Sequence, residues 1–373
     1  MIRGDHAELG ARSRRPRRSN GTSVKLEDVA RRAGVSTASV SRALNTPNLV
    51  SPELRDRIAQ AVLELKWVPN GVAKALASLR TRTIGVMIPT LSHQNFAILI
   101  EALQHDLGAA HYTLVLCCMG ASDEMRVQQA RKLVEQGIEC LVLVGESQPD
   151  VLFDLLRSQN VPYVITYTSG RDPRHICIGF DNYAAAVKLT EHLLGLGHQD
   201  FGIIAHESDG NDRIQQRIAG VRDTLAQAGI AVRPQHFVRV NSRHIASGRE
   251  GMRTILSDDR LRPTALVCTN DYIATGAIIE AKQIGLGIPD EISIVGFDDT
   301  DMSAHLNPPL TTIRVPSQLM GEEIAKYIIA RLETGVAERP PTLAAELIVR
   351  GSTAVLRRNT PNEPRLRSAS QFV

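Results

Sequence analysis

The chain has 373 residues, 43% hydrophobic and 22% charged, with a formal net charge of +3, enough length for two or three domains with real cores. No apolar run reaches the length of a membrane-spanning helix, and five cysteines (Cys117, Cys118, Cys140, Cys177, Cys268) without a C-x-x-C argue against a disulfide framework or zinc site and for small buried hydrophobes. The charge is uneven: residues 1–82 carry 16 Lys+Arg against 7 Asp+Glu while the remainder is net acidic, which points to a polyanionic partner for the head.

The first 23 residues are arginine-rich, lack periodicity and read as a disordered basic tail. They have no apolar h-region, so they do not read as a secretory signal. LEDVARRAG follows with Leu26, Val29, Ala30 and Ala33 at helical spacing and Gly34 as its stop. TASVSRALN predicts a second short helix. SPELRDRIAQAVLELKW predicts a third, with Ser51 as N-cap, Pro52 at its first position and Ile58, Val62 and Leu65 as its inner stripe. After Pro69 and Asn70, one more helix is expected, too short to be stable alone.

From Thr83 the pattern changes. Short apolar runs (TIGVMIP, YTLVLCC, CLVLVG, PYVITY, HICIGF, DFGIIA, HFVRV, TALVCT, ISIVGF, TTIRV) alternate with helices expected at 96–110, 123–136, 183–196, 213–228, 272–284 and 318–334. Such alternation indicates parallel sheets covered on both faces. There are too many units for one small sheet, so 83–355 reads as two Rossmann-like halves. The glycines in GLGH and GLGI lie at helix ends, where glycine is a C-cap rather than a nucleotide loop. The C-terminal residues from 356 read as a second disordered tail.

Helix, tight turn at Gly34-Val35-Ser36, helix is a helix-turn-helix pattern, weak alone and strengthened by its basic context. The second helix is small and hydroxyl-rich, as a helix entering a major groove must be. Arg42 suits bidentate contact with guanine, and Thr37 or Ala38 a thymine methyl. Ser36, Ser39 and Ser41 suit phosphates, and Asn45 closes this DNA-facing set. Val29, Ala30, Val40 and Leu44 read as the mini-core.

The run KLEDVARRAGVSTASVSRALN, then VSPELRDRIAQAVLELKWVPNGVAKALAS, resembles the lactose-repressor/galactose-repressor family across its DNA-binding segment. The similarity extends over about residues 24–355. It implies a helix-turn-helix domain at 24–69, a hinge helix and linker at 70–82, and an effector-binding and dimerisation domain at 83–355. The last is a periplasmic-binding-protein-like α/β fold, one half comprising 83–181 with 313–341 and the other 182–312 with 342–355. The resemblance implies that Thr37 and Ala38 choose operator bases, that Arg42 is a downstream base contact, and that Leu76 is a minor-groove wedge with Ala73 and Lys74 along the groove. From the residues alone, Leu76 reads equally as a core leucine.

Ligands of such folds sit beyond the C-terminal ends of strands, between the halves. This places His93, Asn95 and Phe96 after the first strand, Asp181 after HICIGF, Arg213 and Arg217 after FGIIA, Arg243 after HFVRV, Asn270 after VCT and Asp298 after ISIVGF near the cleft. Carboxylates, amides and arginines around an aromatic suit a polyhydroxylated or anionic molecule. Asp181 and Asp271 also read as helix caps, Phe96 as core and His93 as a loop residue. IPTLSHQNF, IGFDN and VCTND look like the gluconate-repressor branch, which leans the reading toward a sugar acid.

No nucleophile elbow, H-E-x-x-H, P-loop or metal cluster stands out, so neither an enzyme nor a cofactor is expected. The expected protein is a cytoplasmic, nucleoid-associated homodimer that binds a palindromic operator under control of a sugar or sugar acid. A sugar-binding receptor without a regulatory role is the alternative.

Overall fold

The structure is a computed structural model that describes residues 24–120, 122–206, 210–258 and 262–356. The expected tails at 1–23 and 357–373 lie outside the described residues. Two compact units divide between Arg80 and Thr81.

The first unit is all-helical. Helix α1 (Leu26–Ala33) ends at Gly34, which sits in the left-handed region at φ 67, where glycine carries no Cβ penalty. Helix α2 (Thr37–Asn45) starts at Ser36, whose hydroxyl accepts the Ser39 N–H. Helix α3 (Pro52–Leu65) has Ser51 as N-cap and proline in its first turn, as expected. Val29, Ala30, Ala33, Val40, Ala43, Ile58 and Ala61 are buried together. Leu44, expected in this core, is 41% exposed; Ala43 takes the inward position. The expected hinge segment forms α4 (Gly71–Ser78).

The second unit holds two parallel sheets. The first follows β1 (Thr83–Ile88), α5 (Gln94–Ala109), β2 (Thr113–Cys118), α6 (Asp123–Glu135), β3 (Cys140–Val144), α7 (Asp150–Ser158), β4 (Tyr163–Thr166) and β5 (Cys177–Ile178). Its strand order is β2-β1-β3-β4-β5. The second follows α8 (Asn182–Gly195), β6 (Phe201–His206), α9 (Asp212–Gln227), β7 (Phe237–Val240), α10 (Ile245–Ile255), β8 (Ala265–Cys268), α11 (Asp271–Gln283), β9 (Ser293–Val295) and α12 (Asp301–His305). Its order is β7-β6-β8-β9. Central strands such as Cys140–Val144 and Ala265–Cys268 are buried along their whole length, as strands covered on both faces must be.

The chain then crosses back. Antiparallel β10 (Thr312–Arg314) and β11 (Glu346–Ile348) flank α13 (Ser317–Thr334), which packs on α5 of the first lobe. The last described residues return to the second lobe: the Ile294 N–H bonds Ser352 O, and the Leu356 N–H bonds Leu196 O. Leu356 therefore belongs to the fold rather than to the expected tail. Cys140, Cys177 and Cys268 are buried, but Cys117 is half-buried and Cys118 exposed, because β2 is an edge strand. Helices α7, α10 and α12 were not among the expected elements.

Candidate functional site

In the first unit, α2 buries Val40 and Ala43 and exposes Thr37, Ala38 and Arg42. The face left for a partner is thus small side chains around one guanidinium, the composition a groove-entering helix needs. Ser36 and Ser39 are partly engaged: their hydroxyls lie 3.0 Å apart and Ser36 also caps the helix. Ser41 is half-buried. On α4, Leu76 is 74% exposed, so it is not a core leucine. The side chains of Asn45, Ala73 and Lys74 lie outside the described residues, although their backbones are helical.

In the second unit, strand ends and helix starts of both lobes converge on a cavity. His93, Asn95, Phe96, Arg213, Arg217, Arg243, Asn270 and Asp298 all line it. Its centre is Asp298, 6% exposed. Its Oδ2 lies 3.1 Å from His93 Nε2, its Oδ1 lies 3.5 Å from Arg217, and its backbone carbonyl accepts Asn95 Nδ2 at 3.0 Å. Burial alone would raise the Asp298 carboxyl; Arg217 and His93 outweigh that and hold it below the ordinary value. Asp298 and Asp299 have φ 121 and 50, a backbone conformation that costs a residue with a side chain about 1–3 kcal/mol and persists where surrounding contacts fix it.

Arg217 is held from several sides. Its Nε donates to Asn182 Oδ1 at 2.9 Å, its Nη1 to Thr269 O at 2.8 Å, and its guanidinium lies 3.5 Å above the Phe297 ring. Burial lowers its pKa to about 10, with Asp298 opposing and Arg213 reinforcing. Phe96 packs edge-on against Tyr167 at 5.0 Å between centroids, so it is both core and lining. His93 is a buried residue at the start of α5, not an exposed loop residue. Asn270 lines the cavity and caps α11, its Oδ1 accepting the Ile273 N–H at 2.8 Å.

Asp181 is a correction. Its carboxylate accepts the Ala184 N–H and caps α8, and it is not among the cavity lining. A residue that begins a helix has a backbone donor beside it, and that local bond took the side chain. Asp271, expected as a cap or a cleft residue, does neither job: its carboxylate accepts the Thr300 N–H and the Ser303 and Thr312 hydroxyls, anchoring the segment that carries Asp298. Tyr167, His206 and Ile214 line the cavity but were not singled out. Tyr167 and His206 stand at strand ends, so the rule that found their neighbours reaches them too. A wider hollow adjoins, sharing Asn95 and Asp298. Its charged groups already serve each other, Asp299 bonding Arg314 and Arg350, so the first cavity is the candidate site.

Comparison with known proteins now decides the family. Residues 25–70 match the family described as bacterial regulatory proteins, lacI family, and residues 190–353 a periplasmic binding protein-like domain. The PurR transcriptional repressor of Erwinia tasmaniensis is 31% identical over 327 residues, covering 85% of this chain and 94% of that protein. The chain belongs to the lacI family. The GntR transcriptional regulator of Escherichia coli K12 is 30% identical over 307 residues, covering 82% of this chain and 91% of that protein. The structure of a lac repressor dimer bound to operator and the anti-inducer ONPF superposes with a TM-score of 0.79 at 27% identity, covering 89% of this chain and 99% of that one. As a lacI-family member the chain is a DNA-binding transcriptional regulator and not an enzyme. PurR and GntR match to nearly the same degree, so identity alone does not select a branch of the lacI family. Among the described residues, no helix is long and apolar enough to cross a membrane.

Proposed function

We propose that this lacI-family member is a repressor that binds a palindromic operator as a homodimer, and that a small sugar or sugar acid in the cavity around Asp298 sets its operator affinity. The observation that carries the effector half is the Arg217–Asp298 ion pair with His93 against it, buried at the junction of two lobes. A carboxylate and guanidinium fixed in that way read hydroxyl groups as both acceptor and donor. The exposed Thr37, Ala38 and Arg42 of α2 support base reading, and the exposed Leu76 supports a wedge that opens a base step. Two half-sites one helical turn apart call for a two-fold dimer.

The effector acts by favouring one arrangement of the lobes over another. A coupling free energy of about 1–3 kcal/mol changes operator affinity roughly 5- to 150-fold. A gel shift on a palindromic duplex, with and without neutral sugars and sugar acids, tests the reading. Sequence-selective binding altered by one such compound is expected. Equal binding to random duplex, or indifference to every compound, refutes it.

A further inference from the structure

The cavity is not neutral. Three guanidiniums, Arg213, Arg217 and Arg243, line it against one carboxylate, Asp298. Arg217 is the guanidinium that Asp298 answers. Arg213 Nη1 is buried without a hydrogen-bond partner. Burial lowers the Arg213 pKa most, and Asp212 behind it opposes that more strongly than Arg126 adds to it.

His206 adds a donor to the same corner. The Asn211 Oδ1 accepts the Ile214 N–H, which fixes the amide so that its Nδ2 faces His206 Nε2 at 3.4 Å. The imidazole proton then sits on Nδ1, which is buried and unpartnered. Burial first, then Arg243, Arg217 and Arg213, lower the His206 pKa to about 3, so the ring is a neutral donor at pH 7 and reports the positive field around it.

Resting on the reading of this cavity as the effector site, we infer that the effector carries two negative charges on a polyhydroxylated skeleton. Its anionic end lies toward Arg213, Arg243 and His206, and its hydroxyls toward Asp298 and Asn270. Two guanidiniums and an imidazole N–H suit a phosphomonoester, which places nearly two charges at that one end, whereas a dicarboxylate would set its second carboxylate against Asp298. The lining charge among the described residues, three positive against one negative, is balanced by a dianion and left half-balanced by a monoanion.

Calorimetry of the full-length chain at pH 7.5 tests this with four compounds of one carbon-chain length: an aldose, the aldonate, the aldarate and the aldose phosphate. A phosphomonoester is nearly doubly charged at that pH. The aldose phosphate should bind roughly tenfold or more tightly than the aldonate, and lose more affinity with added salt. Tightest binding of the aldarate, the aldonate or the aldose overturns the inference and leaves the cleft as effector site. Binding of none of the four removes both readings. Arg243→Gln, checked for folding by circular dichroism, should narrow the gap between dianion and aldose about tenfold; an unchanged gap also overturns it. If that variant does not fold, the four-compound series on the unaltered chain still decides.

Discussion

Asp298 shows how much one side chain can be asked to do. It faces Arg217 and His93, both buried, and its own carboxylate is buried with them. Asp298→Asn keeps the shape and removes the charge that answers Arg217. An uncompensated buried guanidinium should lower stability by about 3 kcal/mol, read as a lower urea midpoint at unchanged slope. His206 gives a pH signature. Its pKa is lowered from 6.5 to about 3 in the fold. The unfolded chain therefore takes up a proton below pH 6.5 that the folded chain refuses until about 3, and this stability is complete above 6.5 and lost as pH falls between those values. His206→Gln should flatten the stability–pH slope across that window in denaturation curves. On DNA, Arg42→Ala should cost about 1–3 kcal/mol of operator affinity and relax discrimination at one base pair; fluorescence anisotropy on single-pair operator variants measures both. Asp298 was legible because position just after a strand says where a residue points; Arg217 lies inside α9 and was legible through the family resemblance. Asp181 obeyed the same rule but took the alternative the sequence also offered, capping α8 through a local backbone donor.

At the scale of elements, runs such as Thr83–Ile88 and Phe201–His206 were readable because a doubly covered strand is a continuous apolar run. Helix α10 was not, and its composition explains why. It contains Ser247, Gly248 and Gly251, poor helix formers, so propensity does not announce it. Those residues serve tertiary packing: a Cβ on Gly248 would lie 2.1 Å from Ile273 O, and one on Gly276 of α11 2.1 Å from Ile245 O. The two helices touch through bare backbone. Gly276→Ala should therefore destabilise by about 1–3 kcal/mol, the range for overpacking, despite alanine's better helix propensity; thermal melting would show it. Helix α7 is a plainer miss, since Leu152, Phe153 and Leu156 form an inward stripe at helical spacing.

For the molecule as a whole, charge divides the labour. The first 82 residues are strongly basic and the remainder acidic, which concentrates phosphate affinity in the basic segment. Operator binding should weaken linearly in log–log terms with salt, at a slope of about 0.9 per phosphate contacted, and replacing one groove-tracking cation should reduce that slope by about one. Titrations at several salt concentrations give the number directly.

Asp298 belongs to the second lobe, yet His93 and Asn95 of the first lobe both hold it, and Gln94 Oε1 accepts the Asp301 N–H beside it. The protein's jaws thus carry their own clasp. A guest that sits there exchanges one set of bonds for another and keeps only the difference. Recognition of this kind yields modest tightness but sharp choosiness, since a compound that cannot replace each severed link leaves an ion stranded.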